Sequence, residues 1–153
     1  MTAGWADREE IRALLRTQRL GALSTQGAGQ PYASLVAFAA TGDFRHVLFA
    51  TSRSTRKYGN LAADPRAALL LDDRSEGRGA LGAGTAATAT GRAEEVPPAD
   101  REACRGTYLA RHPHLADFVA DPGCALLRMR VEEWVLVRRF QEVVRVPGDF
   151  PEE

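Results

Sequence analysis

The stretch Leu20-Gly-Ala-Leu-Ser-Thr25, the turn Gln26-Gly-Ala-Gly29 and the stretch Pro31-Tyr-Ala-Ser-Leu-Val-Ala-Phe-Ala39 predict two strands joined by a tight turn. The turn Thr41-Gly42-Asp43 then leads into a third strand, from His46 to Thr51. Parallel strands need a long crossover, usually a helix, and no segment of that length separates these three strands. The sequence therefore predicts an antiparallel meander within a mainly β fold.

Further elements are predicted on both sides of the meander. A helix that starts at a capping box of Asp7 and Glu10 precedes it. A short helix, two strands around a glycine-rich surface excursion, two more helices and a final hairpin that turns near Glu132-Glu133 follow it. The short helix is predicted at Tyr58–Asp64. The two strands are predicted at Ala67–Asp72 and Gly84–Val96, with the glycine-rich excursion at Arg74–Gly82 between them. The two later helices are predicted at Pro97–His112 and His114–Ala120, and the strands of the final hairpin at Cys124–Val131 and Trp134–Val146. Six or seven short strands with few helices favour an antiparallel barrel over a doubly wound sheet.

Composition limits the classes of function. The chain has 153 residues, enough for one domain spanning residues 1–153, and its 20 basic residues balance 20 acidic ones. A nucleic-acid binder usually carries a basic excess, so this class is not expected. Apolar stretches end well short of a membrane span, and Asp7, Glu9 and Glu10 lie where a signal peptide would be basic and then apolar. We therefore expect a cytoplasmic protein that binds neither nucleic acid nor membrane.

The cysteines and histidines give no sign of a metal site. Cys104 and Cys124 fall in different predicted elements and form no Cys-x-x-Cys pair, which favours two reduced thiols over a disulfide. His46, His112 and His114 belong to no metal-binding motif. We expect no bound metal, and we expect capping or surface roles for His112 and His114.

The segment from Phe49 to Lys57 carries the chemistry. It leaves a strand, crosses a turn rich in hydroxyl groups and enters a helix, whose first amide groups and dipole favour a bound anion. Hydroxyl donors and cations surround that helix start; they are Thr51, Ser52, Ser54, Thr55, Arg56 and Lys57. Lys57 is the only lysine beside 19 arginines. The pattern predicts a phosphomonoester site, with a solvated helix start as the alternative, and it lacks the glycines of a nucleotide-hydrolysing phosphate loop.

The order and spacing of five stretches resemble the pyridoxamine 5'-phosphate oxidase-like family of FMN-binding split barrels. They are Gly29-Gln-Pro-Tyr-Ala-Ser-Leu-Val36, Phe49 to Lys57, Asn60-Leu61, Asp64-Pro-Arg-Ala-Ala-Leu69 and Thr90-Gly-Arg-Ala-Glu-Glu-Val96. The likeness covers most of residues 10–96. It implies a six- to seven-stranded antiparallel split β-barrel of Greek-key connectivity with two to three peripheral helices. It also implies a homodimer that holds FMN at the subunit interface.

The resemblance also implies roles for individual residues. The family holds the phosphate where this chain has Thr55, Arg56 and Lys57, and it contacts the flavin or the ribityl chain where this chain has Thr51. Ser52 adds a hydroxyl group beside them. The strand that runs beside the flavin ring corresponds to three residues, Ser34, Leu35 and Val36. These eight residues form the predicted cofactor site, and no catalytic residue is assigned.

The chain also departs from the oxidases of the family. Ser34 stands where they carry an arginine, Thr85 and Ala86 stand where they carry Arg-Gln, and the C-terminal end lacks their His-Asp pair. These departures argue against vitamin B6 oxidation, and the leading hypothesis is an FMN-dependent oxidoreductase whose small-molecule substrate is unknown. A looser likeness of residues 108–119 to haem-utilising and haem-degrading split barrels makes haem the alternative ligand. A deazaflavin, or a ligand-free interaction protein, remains a further alternative.

Residues near the C-terminal end carry a second open question. By likeness to several relatives, five of them reach the flavin of the opposite subunit; they are Trp134, Arg138, Arg139, Phe140 and Gln141. Alternatively, the aromatic residues Trp134 and Phe140 belong to the core or the dimer interface. The second role is the commoner one for such residues.

Overall fold

Seven strands and four α-helices make up the described part of the chain. The computed structural model describes residues 3–74, 84–139 and 142–150. The helices are α1 (Trp5–Thr17), α2 (Arg56–Ala63), α3 (Pro98–Arg111) and α4 (Ala116–Ala120), with a 3-10 turn at Pro113–Leu115. The strands are β1 (Leu20–Gly27), β2 (Gln30–Ala40), β3 (His46–Ser52), β4 (Arg66–Asp72), β5 (Thr85–Glu95), β6 (Cys124–Arg138) and β7 (Glu142–Pro147).

The strands form an antiparallel barrel. Their order is β3-β2-β1-β4-β5-β6-β7, and β6 pairs again with β3, which closes a six-stranded barrel and leaves β7 as an extra strand. The meander β1–β3 and the return of β4 to the side of β1 make a Greek key. The predicted fold class is thus confirmed. The described residues hold four α-helices, more than the two to three peripheral helices of the predicted architecture, and each of the four lies in a segment that the sequence predicts as helical.

Two apolar clusters hold the fold together. The larger one fills the barrel and includes Ile11 of α1, Phe38, Phe49 and Trp134, none of them more than 1% exposed. The smaller one lies on the outer surface of β2, β3 and β6, where α3 and α4 cover it; its members are Ala39, Leu48, Val96, Tyr108, Val119 and Leu126. Trp134 therefore belongs to the core and does not reach towards a second subunit. Phe140 lies outside the described residues.

The final hairpin differs from its prediction. Instead of turning near Glu132-Glu133, β6 runs without interruption to Arg138, and β7 begins at Glu142. Thr90 of β5 pairs with Glu133 and the next residue, Gly91, pairs with Val131, so Glu132 is the extra residue of a bulge. A Cβ atom at Gly91 would overlap the Arg130 carbonyl group, so glycine is needed where the two strands approach. The two adjacent glutamates have the polar character of a turn, but Glu132 is accommodated as the bulge residue and Glu133 remains paired with Thr90.

One further prediction is corrected by a helix end, and another falls on residues outside the described ranges. Asp7 does not cap α1 from outside, because the helix begins at Trp5 and Gly4 is its N-cap. Most of the predicted glycine-rich excursion, residues 75–82, lies outside the described residues. Within the described part of the chain, no helix has the length and apolar character needed to cross a bilayer.

Candidate functional site

The barrel opens between β2 and β3. Residues Phe38–Ala40 of β2 pair with Val47–Phe49 of β3, whereas residues 30–37 pair with β1 alone. β3 meanwhile continues along β6 as far as Ser52. The two strands therefore diverge, and the chain enters α2 at the resulting opening. The position of the predicted phosphate-binding turn follows from this divergence.

The turn between β3 and α2 is held by its own hydroxyl groups. The Thr51 and Thr55 hydroxyl oxygens are 2.8 Å apart, and the Thr55 hydroxyl donates to the Ser52 carbonyl at 2.9 Å. Thr55 is the N-cap of α2, since its hydroxyl oxygen accepts from the Tyr58 amide at 3.3 Å. The Ser52 and Ser54 hydroxyls bond to each other at 2.9 Å. The predicted donors are thus gathered in one turn, but several of them already have partners there.

The first turn of α2 contains two cations, Arg56 and Lys57. Positive charge at a helix N-terminus is unfavourable, because the positive end of the helix dipole lies there. The other three α-helices each carry an aspartate in the first turn, and α2 carries no acidic residue there. Arg56 lies over the ring of Tyr32, 5.0 Å from its centre, across the opening of the barrel. Within the described residues, neither Arg56 nor Lys57 has a carboxylate partner. The folded chain therefore concentrates uncompensated positive charge at this helix start.

The opposite side of α2 is fixed to β1. The Asn60 side-chain amide donates to the buried Thr25 hydroxyl at 3.0 Å, and the Gln26 amide donates to the Asp64 carboxylate at 2.6 Å. A Cβ atom at Gly27 would lie 2.5 Å from the Asn60 side-chain oxygen, so the helix and the strand are in close contact. These contacts hold the charged start of α2 in one orientation.

The three β2 residues predicted beside the cofactor ring differ in exposure. Leu35 is 72% exposed, and Val36 packs in the barrel core with 5% of its surface exposed, so only the backbone of Val36 can line an external site. The Ser34 hydroxyl oxygen is buried and has no hydrogen-bond partner among the described residues. It lies two residues from Tyr32, on the same strand face.

The predicted residues thus fall on two sides of one opening. Thr51, Ser52, Thr55, Arg56 and Lys57 lie on the α2 side, and residues 34–36 lie on β2. Thr51 is only 2% exposed, so its hydroxyl supports the turn through Thr55 instead of projecting outwards. Sequence reasoning missed Tyr32 as the partner of Arg56. Its alternation with Ser34 along β2 was the available signal.

The histidines are placed differently from one another. His112 ends α3 but is 1% exposed, and its Nε2 atom lies 2.7 Å from the Phe38 carbonyl oxygen. Burial lowers the pKa of His112. The expected capping role is confirmed for His112, which is the C-cap of α3 and whose buried ring also bonds the helix to β2, and the expected surface role is confirmed for His114, which is exposed. The described residues contain no group of three or more potential metal ligands.

Comparison with known proteins identifies relatives by sequence and by fold. The model of the family described as pyridoxamine 5'-phosphate oxidase matches residues 7–138. No curated protein matches the sequence. Among solved structures, a haem-binding protein from Mycobacterium smegmatis has 23% identity and a TM-score of 0.84; the match covers 97% of this chain and 60% of that one.

Two further structures widen the range of similar proteins. A FAD-binding protein from Mesorhizobium loti has 21% identity and a TM-score of 0.67, over 84% of this chain and 90% of that one. ChuZ of Campylobacter jejuni has 11% identity and a TM-score of 0.78, over 100% of this chain and 68% of that one. At these identities the matches show a common fold.

Proposed function

The chain belongs to the pyridoxamine 5'-phosphate oxidase family, and we propose that it is a cytoplasmic FMN-binding homodimer that acts as a flavin-dependent oxidoreductase on a small molecule. The observation that carries this proposal is the pair Arg56 and Lys57 at the start of α2. Both cations oppose the helix dipole, and no described carboxylate compensates them. A bound phosphate removes this unfavourable arrangement, because it pairs with both cations and with the first amides of the helix.

The residues present fit a flavin phosphate at this position. Arg56 offers a planar fork of donors, Lys57 a compact charge, and the fixed turn around Thr55 keeps the helix amides directed at the opening. Ser34 leaves a hydroxyl without a partner on the neighbouring strand. FMN, when bound, supplies the two-electron chemistry. The role of the chain's own residues is then to bind the phosphate, orient the ring along β2 and exclude water.

An apolar row on the outer barrel surface supports the homodimer. Ala22 of β1 pairs with Leu35 of β2 on one side and with Leu70 of β4 on the other. Leu35 is 72% exposed and Leu70 is 45% exposed, and Leu20 nearby is 58% exposed. Three large exposed side chains on adjacent strands are typical of a surface that a second chain covers. The row is continuous with the strand segment 34–36, so a second subunit seated there would enclose a cofactor ring.

Haem is the second candidate ligand. The similar Mycobacterium smegmatis structure is of a haem-binding protein. Of the three histidines, His112 is unsuited to iron ligation because its Nε2 atom faces the Phe38 carbonyl group in the interior. His46 and His114 are the remaining imidazole ligands. A haem titration tests this alternative, since a shifted Soret band that is lost in His46→Ala or His114→Ala supports it.

The FMN proposal is tested by comparing FMN with riboflavin, which lacks the phosphate. The double variant Arg56→Gln/Lys57→Gln should bind FMN on the order of 100-fold more weakly than the unmodified protein, because two charge-assisted contacts are lost. Its affinity for riboflavin should not change. Fluorescence titration measures both affinities, and sedimentation velocity on the same samples measures whether the protein is a dimer.

A matched control removes the same charge elsewhere. Arg101 and Arg105 lie on α3, and neither has a carboxylate partner among the described residues. Arg101→Gln/Arg105→Gln should keep the preference for FMN over riboflavin. The phosphate assignment is wrong if the Arg56/Lys57 variant retains that preference. The oxidoreductase assignment is wrong if bound flavin is not reduced by NADH, NADPH or a panel of small organic donors.

A further inference from the structure

Basic side chains, three arginines and a histidine, lie directly opposite one another on four neighbouring strands at the far end of β3. Arg66 of β4 pairs with Arg92 of β5, Arg92 pairs with Arg130 of β6, and Arg130 pairs with His46 of β3. Like charges in directly opposed positions destabilise a sheet. The chain nevertheless has three arginines in consecutive positions of this row, which we call the cationic row and which consists of Arg66, Arg92, Arg130 and His46.

The carboxylates around the cationic row compensate its members unequally. Asp64 holds Arg66 with two short contacts, 2.6 and 3.0 Å, so Arg66 is paired. Arg92 reaches Glu132 at 3.3 Å and Arg130 reaches Asp149 only at 3.9 Å. All four of these last side chains are at least 58% exposed, and such surface pairs contribute little. Arg92 and Arg130 can therefore exchange their partners for a stronger anion.

A groove of about 380 Å³ lies between these two arginines and His46. Its lining residues are His46, Pro65, Arg92, Ala93, Glu94, Arg128 and Arg130. Glu94 is the one carboxylate in that lining, and Arg128 engages it at 2.9 Å and Asp100 at 3.0 Å. Arg128 and Glu94 thus neutralise each other, which leaves the groove with a net positive charge.

We propose that this groove is a second anion site, in which Arg92, Arg130 and His46 bind a doubly charged phosphate group. The volume lies at the lower end of small-molecule sites, which suits a phosphate ester or free phosphate. Arginine presents planar pairs of donors that match phosphate oxygens, and two arginines here approach from adjacent strands. His46 lies about 20 Å from Ser52 along β3, six residues at roughly 3.3 Å each, so the groove is separate from the α2 start.

His46 gives the site a pH dependence. Burial lowers the pKa of His46, and the charges of Arg128 and Arg130 lower it further, while Asp43 and Glu94 act in the opposite direction. A bound anion counteracts the positive charges of Arg128 and Arg130 at His46 and so favours the protonated ring. Binding therefore takes up a proton at His46, and the affinity for the doubly charged phosphate rises as the pH falls towards the second pKa of a phosphate ester, about 6, below which the group carries only one charge.

The test is a pH titration of the histidine ring protons by NMR, with and without inorganic phosphate, at an ionic strength kept constant with chloride. Phosphate should raise the pKa of His46 by on the order of one unit, as expected for an opposite charge at close range. His114 is exposed and serves as the reference in the same spectra. Arg92→Gln/Arg130→Gln should abolish the shift, and both sites are exposed enough for the variant to fold.

Two further variants isolate the groove. Arg145→Gln removes an exposed arginine of β7 whose pair with Glu133 is equally loose, at 4.0 Å, and it should leave the His46 shift intact. Arg56→Gln/Lys57→Gln should also leave the His46 shift intact, so the test of this groove is independent of the test of the proposed FMN site. The proposal is wrong if phosphate does not move the His46 pKa, if chloride moves it equally, or if the Arg92/Arg130 variant retains the shift.

Discussion

The starts of α1 and α2 are built with opposite charges. In the first turn of α1, the Asp7 carboxylate accepts from the Gly4 amide at 2.7 Å and from Arg138 at 2.6 Å. In the first turn of α2, Arg56 and Lys57 stand where an acidic residue is favourable. The α1 start satisfies its backbone and its dipole from within the chain. The α2 start caps one backbone amide with Thr55 but has no acidic residue to complement its dipole.

The surroundings of the two sites differ in the same sense. Arg138 lies among three carboxylates, at 2.6 Å from Asp7, 2.8 Å from Glu10 and 3.1 Å from Glu142. Hydrogen bonding to Asp7 raises the pKa of Arg138 above its ordinary value. Arg56, in contrast, contacts the ring of Tyr32 and no described carboxylate. An arginine surrounded by acids fixes the fold, whereas an arginine without them at a helix start is available for an anion.

The largest effect is expected at Arg138. Arg138→Met should lower the free energy of unfolding by about 2–3 kcal/mol, because it leaves the buried Asp7 carboxylate without its charged partner. For a chain of this size the melting temperature should fall by about 5–10 °C. Urea unfolding and thermal melting measure the change, and FMN affinity should be unaffected.

The neighbouring residue provides the control for Arg138. Arg139 is 82% exposed at its side chain and is 3.9 Å from Glu142, so Arg139→Met should change the free energy of unfolding by less than about 0.5 kcal/mol. Equal losses for the two variants would show that the three-carboxylate cluster does not stabilise the fold. The claim that the α1 start is stabilised by charged groups of the chain itself would then be wrong.

Local patterns were sufficient to predict most of the fold. The strands from Leu20 to Ser52 carry their turns and alternation in the sequence, and the structure extends them by only a few residues. The prediction of a turn near Glu132-Glu133 was wrong, because a bulge depends on the partner strand, here on the close approach of Gly91 to Arg130. Such a contact between distant segments leaves no local signal.

The candidate site was predictable in its residues but not in its partners. The hydroxyl groups and cations from Thr51 to Lys57 are adjacent in sequence, so their grouping followed from the chain itself. The contact of Arg56 with Tyr32 joins the first residue of α2 to strand β2, and only the folding of the barrel brings these two segments together. The cationic row likewise depends on register between strands, which a single sequence does not give.

A smaller effect is expected from pH at the α1 start. The Gly4 amide and the Arg138 guanidinium lower the pKa of Asp7 in the folded protein. The ionised carboxylate therefore stabilises the fold at pH values above the pKa of Asp7 in the unfolded chain, which is about 3.9. This stabilisation is lost as the pH falls through that value towards the lower pKa of the folded protein. The advantage of the unmodified protein over Asp7→Asn should be on the order of 1 kcal/mol near neutral pH.

Urea unfolding of both proteins at several pH values measures this advantage. The difference in the free energy of unfolding should shrink as the solution is acidified, because the protonated Asp7 and an asparagine carry the same charge. A difference that stays constant down to low pH would mean that the Asp7 charge does not contribute. The α1 start would then depend on its neutral hydrogen bond alone.

The smallest effect, and one of opposite sign, is expected at α2. In the absence of FMN, Arg56→Gln/Lys57→Gln should leave the free energy of unfolding unchanged or raise it by about 0.5 kcal/mol, since two charges that oppose the helix dipole are removed. Saturating FMN should reverse the order, because a ligand that binds only the folded state stabilises the protein that binds it more tightly. Thermal melting with and without FMN measures both states, and a variant that is destabilised equally in each would make Arg56 and Lys57 structural residues, like Arg138.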